Sequence, residues 1–117
     1  MGEGFVKPKG TRRGNVGDIM IVRVFRARPR PGAVEELTRL AEEVSIPFVD
    51  SQPGLVARYT GRGAGATGEE LLMITVWEDL GALKGMTGEN WESPVIPDER
   101  LEALIEESFL HHYESIG

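Results

Sequence analysis

The sequence predicts an α+β domain built on an antiparallel four-stranded sheet with helices on one face. Four stretches rich in β-branched and aromatic residues, at 19–28, 55–62, 69–78 and 109–116, read as strands. Helical spacing of apolar residues follows the first and the third of them. The strongest turn residues fall between elements: Pro31-Gly32, Gln52-Pro53-Gly54 and the glycines between 61 and 68.

Residues 1–18 (MGEGFVKPKGTRRGNVGD) hold five glycines and no apolar period. They read as a flexible leader, with the folded domain expected over 19–117. Ile19–Arg28 (IMIVRVFRAR) is the first strand. Alternation puts Ile21, Arg23, Phe25 and Ala27 on one face and Val22, Val24, Arg26 and Arg28 on the other. Pro29 and Pro31 lack an N–H and are expected to stop the ladder. Ala33–Val44 is the first helix, its buried stripe made by Val34, Leu37, Leu40, Ala41 and Val44. Glu35 and Glu36 occupy the first turn, where the helix dipole favours acids. Pro47 must kink or end this helix, with Ile46, Phe48 and Val49 still buried beyond it.

Leu55–Arg62 and Glu69–Glu78 read as a hairpin with a Gly-rich tip. Asp79 is a good N-cap for a short helix to about residue 86, which Gly81 and Gly85 weaken. Thr87–Pro97 is an irregular connection. Asp98–Glu107 is helical again, with Leu101, Leu104 and Ile105 buried, and Phe109–Ile116 is the last strand. The order strand, helix, strand, strand, helix, strand is a ferredoxin-like plan. Helices cover one sheet face, and the other stays apolar along several strands. Such a face exceeds what a soluble monomer usually exposes, so a two-fold homodimer packed through it is expected.

Composition narrows the function classes. At 117 residues, 40% hydrophobic and 27% charged, the chain is an ordinary globular domain. The absence of cysteine excludes a disulfide scaffold, cysteine zinc sites and thiol catalysis. No apolar run approaches the ~20 residues that span a bilayer, and residues 1–18 contain no apolar signal core. A cytoplasmic protein with no membrane partner is expected. The net charge is −6, and 89–107 hold seven acids against Arg100 alone. An acidic body argues against nucleic acid as the partner.

Several segments together resemble the antibiotic biosynthesis monooxygenase superfamily. They are the strand-to-helix run IVRVFRARPRPGAVEEL, the turn QPG at 52–54, the strand end ITVWED at 74–79 and the closing HHYE at 111–114. The resemblance implies a dimeric α+β barrel with a pocket between sheet and helices in each subunit. It also implies a small-molecule reaction: cofactor-free oxygenation of polycyclic phenols, or degradation of haem. In the haem-degrading relatives a Trp at the place of Trp77 lines the pocket, with a strand-one Asn and a His on the following helix. Here strand one reads Phe25-Arg26 and residues 79–88 contain no His. An axial haem ligand is missing from its expected place, and no cofactor is assigned.

His111 and His112 are the only histidines. Adjacent strand residues point to opposite faces, so they do not chelate one metal, and no metal site is predicted. Whichever faces the pocket is the candidate general base; otherwise both are structural. Arg23, between Ile21 and Phe25 on the apolar face, is the candidate anion partner; its structural alternative is an ion pair with a glutamate. Phe25, Tyr59, Trp77, Trp91 and Tyr113 are candidate substrate-binding residues, though each could equally be packing. Trp91 would either close the pocket or anchor the 87–97 connection. The sequence therefore predicts a cofactor-independent monooxygenase acting on an aromatic or quinol-type small molecule. The alternatives are a non-catalytic ligand-binding module on the same fold and, behind it, a haem-degrading oxygenase.

Overall fold

The computed structural model describes residues 19–116, and residues 3–6 as backbone. The strands are β1 (Glu3–Val6), β2 (Ile21–Pro29), β3 (Leu55–Arg62), β4 (Leu71–Trp77) and β5 (Ile105–Glu114). They form one sheet in the order β1-β3-β4-β2-β5, and every neighbouring pair is antiparallel. Without β1, this is the expected ferredoxin-like four-stranded sheet.

At β1 the chain departs from the leader expected over 1–18. Glu3–Val6 pairs with Ala57–Thr60 along β3. A sheet edge offers unpaired backbone N–H and C=O groups, and a second segment satisfies them through its backbone whatever its side chains. Composition carries no sign of such pairing. Residues 7–18 of the expected leader lie outside the described residues.

The first helical run is longer and less regular than its apolar period suggests. It comprises α1 (Val34–Leu40), a π-helical turn (Ala41–Ser45) and α2 (Ile46–Asp50). The Ile46 N–H reaches back to the Ala41 carbonyl, the i→i−5 bond of a π-turn. Pro47 sits directly after it. Its ring would clash with the carbonyl four residues back in a regular helix, and the widened turn relieves that clash without ending the helix. α3 (Leu80–Thr87) starts at Asp79, whose carboxylate accepts the Ala82 N–H at 2.8 Å.

α4 spans only Glu99–Leu104 and stops short of the Glu107 that the pattern predicts as its end. Ile105 and Glu107 instead pair with Pro29 and Arg28, where the β2–β5 register shifts by a bulge. Tertiary pairing here overrides helix propensity. Pro29 ends β2 as expected, while still pairing with Ile105 at that bulge.

Helices cover the sheet face that carries Ile21, Arg23 and Ala27, all buried. The core has two clusters: Ile21, Val49, Leu55, Trp77 and Leu83, and Leu37, Leu40 and Leu101. Trp77 and Leu83 are completely buried. Gly54 has φ 84°, and a Cβ there would collide with the Cβ of Ala82. The QPG turn therefore requires glycine for its conformation and for the close approach of α3. Arg58 ties β3 to the end of α2 through a fork on Asp50, Nε to Oδ1 at 2.8 Å and Nη2 to Oδ2 at 3.0 Å. Among the described residues no helix is long and apolar enough to cross a membrane.

Candidate functional site

A row of polar residues crosses the helix-covered face of the sheet. Strand register sets Arg58 opposite Thr75, Thr75 opposite Arg23, and Arg23 opposite His112. The first three are 3–5% exposed. Polar groups this deep need partners or a ligand.

Beside this row lies a cavity of about 540 Å³ between the sheet and the helices. That volume falls in the range of small-molecule sites. Its wall is largely apolar, with Phe25, Leu37, Phe48, Met73, Met86 and Ile96 among the lining residues. Its polar lining includes Arg23, Thr75, Thr60, Thr38 and Ser45. The π-turn contributes Ala41, Glu42 and Ser45 directly to the wall. Glu42 and Arg62, both exposed, mark its solvent side.

Arg23 is the buried charge at this wall. Nη1 donates to the Trp91 carbonyl at 2.7 Å and contacts Nε2 of His112 at 2.9 Å; Nη2 donates to the Ser93 carbonyl at 3.1 Å. Among the described residues no carboxylate pairs with it, which sets aside the expected glutamate ion pair. Burial pulls its guanidinium down to about 10, so it stays protonated at neutral pH. Five N–H groups are available on a guanidinium. Nε–H and one hydrogen on Nη2 make none of these bonds.

His112 is held neutral by its surroundings. Burial first, then the Arg23 charge, hold its imidazole below the ordinary value; Glu92 pulls the other way and His111 adds to the lowering. The Trp91 ring stands edge-on to it, with centroids 4.8 Å apart. Together Arg23 and His112 clamp the connection after α3, whose residues Val95, Ile96 and Pro97 line the cavity.

The other residues singled out from sequence are placed as follows. Arg23 and Phe25 line the cavity. His112 touches Arg23 without lining it. His111, opposite Val24, lies on the outer sheet face and is exposed, so it faces away from the cavity. Tyr59 and Tyr113 also lie on that face, 45% and 57% exposed, and do not line the cavity. Trp77 is a core residue behind the wall, not part of it. Trp91 anchors its connection and does not form the wall.

Thr75, Thr60, Met73, Met86 and the π-turn residues were not legible as site residues. Thr75 stands two residues before Trp77 and hence shares its face, which alternation alone would reveal. The π-turn had one signal, a proline inside an apolar helical period.

Fold and cavity thus define an α+β domain with a cavity of small-molecule size between sheet and helices. The chain belongs to the antibiotic biosynthesis monooxygenase family, whose model matches residues 20–92. It is similar to the structure of a point mutant of SnoaB, a cofactor-independent oxygenase from Streptomyces nogalater. The two share 22% identity, with 80% of this chain and 90% of SnoaB covered and a TM-score of 0.62. Protein SO0527 from Shewanella oneidensis is 12% identical over 97% of each chain, with a TM-score of 0.67. Rv0793 from Mycobacterium tuberculosis is 17% identical over 84% of this chain and 96% of its own, with a TM-score of 0.63. No match is found among curated protein sequences.

Haem does not fit the arrangement implied for haem-degrading relatives. α3 carries no histidine, and Trp77 is walled off in the core. Among the described residues no three His, Cys, Asp or Glu side chains group to hold a metal ion.

Proposed function

We propose that the protein is a cofactor-independent monooxygenase that binds an aromatic or quinol-type molecule as its anion. The observation that carries this reading is Arg23: a buried cation without a carboxylate partner among the described residues, at the wall of a largely apolar cavity. A phenolate or enolate oxygen supplies the missing negative charge. In such a site the substrate itself is the reductant. It loses a proton, its carbanion passes an electron to dioxygen, and the radicals join through a new C–O bond. The hydroperoxide then loses water to leave a carbonyl, so a CH₂ and O₂ become C=O and H₂O. The protein's share is a base, an anion-stabilising donor and a dry cavity.

His112 is the base in this reading, and His111 is not. In the described state Nε2 of His112 is occupied by Arg23. A ligand oxygen that takes over this Arg23 N–H releases Nε2 to accept the substrate proton. The protein is proposed to act as a homodimer, packed through the outer sheet face that carries Val22, Val24, Ile74, Val76 and Phe109. A cytoplasmic setting is proposed with it; a chain without cysteine needs no oxidising compartment to fold.

One observation favours a second reading. The same Arg23–His112 contact keeps Nε2 of His112 occupied, which suits a module that binds its ligand without converting it. Oxygen uptake by metal-stripped protein with anthrone-type substrates separates the two. Turnover lost in Arg23→Met and slowed in His112→Asn supports the oxygenase. Ligand binding with no oxygen consumption across the panel overturns it in favour of the module.

A further inference from the structure

The polar row holds a hydroxyl hydrogen that no atom of the described residues accepts. Thr75 Oγ1 receives the indole N–H of Trp77 at 2.9 Å. A hydroxyl also has one hydrogen to donate, and among the described residues none takes it. Thr75 is 3% exposed and lines the cavity. The indole is fixed, since Trp77 is wholly buried in the core. With its lone pair engaged from the core side, the hydroxyl turns its hydrogen away from Trp77.

Its neighbours across the strands are two buried arginines. Arg58 has its anion within the chain, the carboxylate of Asp50 held on Nε and Nη2. Among the described residues Arg23 has none, and its Nε–H and one Nη2 hydrogen take no part in the bonds it makes there. Unused donors therefore stand on directly opposed positions of β2 and β4, both at the cavity wall.

We propose that Thr75 is a ligand-recognition residue: its hydroxyl and the unused N–H groups of Arg23 together hold one anionic oxygen carried by a planar apolar ligand. Trp77 is the positioning residue that sets the hydroxyl. The inference rests on the reading of the cavity as a site for an aromatic anion, and adds what selects it. A neutral aromatic leaves both donors unpaired in a buried site and is rejected for that reason. The oxygen belongs to a phenolate or to a carboxylate; both present the same chemistry to these donors.

The probes are 4-nitro-1-naphthol, whose absorption reports phenol or phenolate, 2-naphthoate and naphthalene. They are titrated into the full chain and into Thr75→Val, Thr75→Ser and Arg23→Met. Thr75→Val is expected to weaken an anionic probe by roughly tenfold while naphthalene binds within about twofold of wild type. Thr75→Ser restores most of the affinity. The titration midpoint of bound nitronaphthol rises in Thr75→Val. A loss confined to nitronaphthol assigns a phenolate; one confined to naphthoate assigns a carboxylate. Anion binding lost in Arg23→Met but unchanged in Thr75→Val overturns the role of Thr75 and leaves the cavity reading standing. Equal losses of naphthalene and anion in Thr75→Val reduce Thr75 to packing and also overturn it. A wild type that binds no probe brings down the cavity reading and this inference with it. Should Thr75→Val not fold, because the Trp77 N–H loses its acceptor, the double variant Trp77→Phe with Thr75→Val, which has no stranded N–H, against Trp77→Phe alone carries the same comparison.

Discussion

Arg23 and His112 face each other on β2 and β5, with Nη1 and Nε2 2.9 Å apart. A guanidinium only donates, so Nε2 must be the acceptor and the neutral ring carries its proton on Nδ1. Protonating His112 breaks this bond and sets two cations side by side.

Stability is therefore expected to depend on the charge of His112. Its folded pKa lies below the unfolded value, so the unfolded chain binds the proton more readily. The contribution is complete above about pH 6.5 and is lost as pH falls through the lower folded value. Melting temperatures measured from pH 7.5 down to 5 should fall more steeply in wild type than in His112→Asn. In NMR, His112 should titrate below the ordinary imidazole value. Parallel melting curves for the two proteins would contradict this.

Arg23 also organises the connection after α3. Removing it strands the carbonyls of Trp91 and Ser93 and the ring nitrogen of His112. Arg23→Met should cost about 1–3 kcal/mol. Amide exchange should accelerate over residues 89–97 and stay slow in β2–β4. Uniform acceleration across the sheet would show that Arg23 acts on the whole fold instead.

Gly54→Ala should destabilise by more than about 1 kcal/mol, because both the positive φ and the contact with Ala82 forbid a Cβ. Gly32→Ala makes a useful control: φ is 81° there, with open space around the added carbon. Urea midpoints should fall for both, and further for Gly54→Ala. A smaller shift at position 54 than at 32 would rule out the steric part of the explanation.

The outer sheet face yields a test of assembly. Val24 sits at its centre, opposite Ile74 and His111 on the two neighbouring strands. Wild type should elute with the mass of a dimer in light scattering, and Val24→Asp should be monomeric with an unchanged far-UV spectrum. A wild-type monomer at micromolar concentration removes the dimer.

The sheet was legible because its strands carry β-branched residues in alternation and its turns carry glycine and proline. The same alternation put Arg23 and Phe25 on the covered face. It could not say which of His111 and His112 joins them, because that depends on β2–β5 register, a long-range property. The choice between wall and core for Trp77 stayed open for a related reason. An aromatic at a strand end can face a cavity or a core, and packing against Leu55 and Leu83 decides it. Tyr59 and Tyr113 belong to the opposite sheet face. The pairing of residues 3–6 is made by backbone groups, to which composition is blind.

The π-turn at Ala41–Ser45 also sets the rotational phase of the helical run. Val49 follows Leu40 by nine residues, and both are buried. At about 100° per residue an unbroken α-helix would turn Val49 about 180° from Leu40, out into solvent. The wide turn absorbs one residue, leaving an offset of about 80°, and both side chains reach the protein interior. A chain one residue shorter within 41–45, with Pro47 also replaced by a helix former, would thus run as regular helix with Val49 still turned inward. The same deletion inside α1 would swing its buried stripe off the sheet.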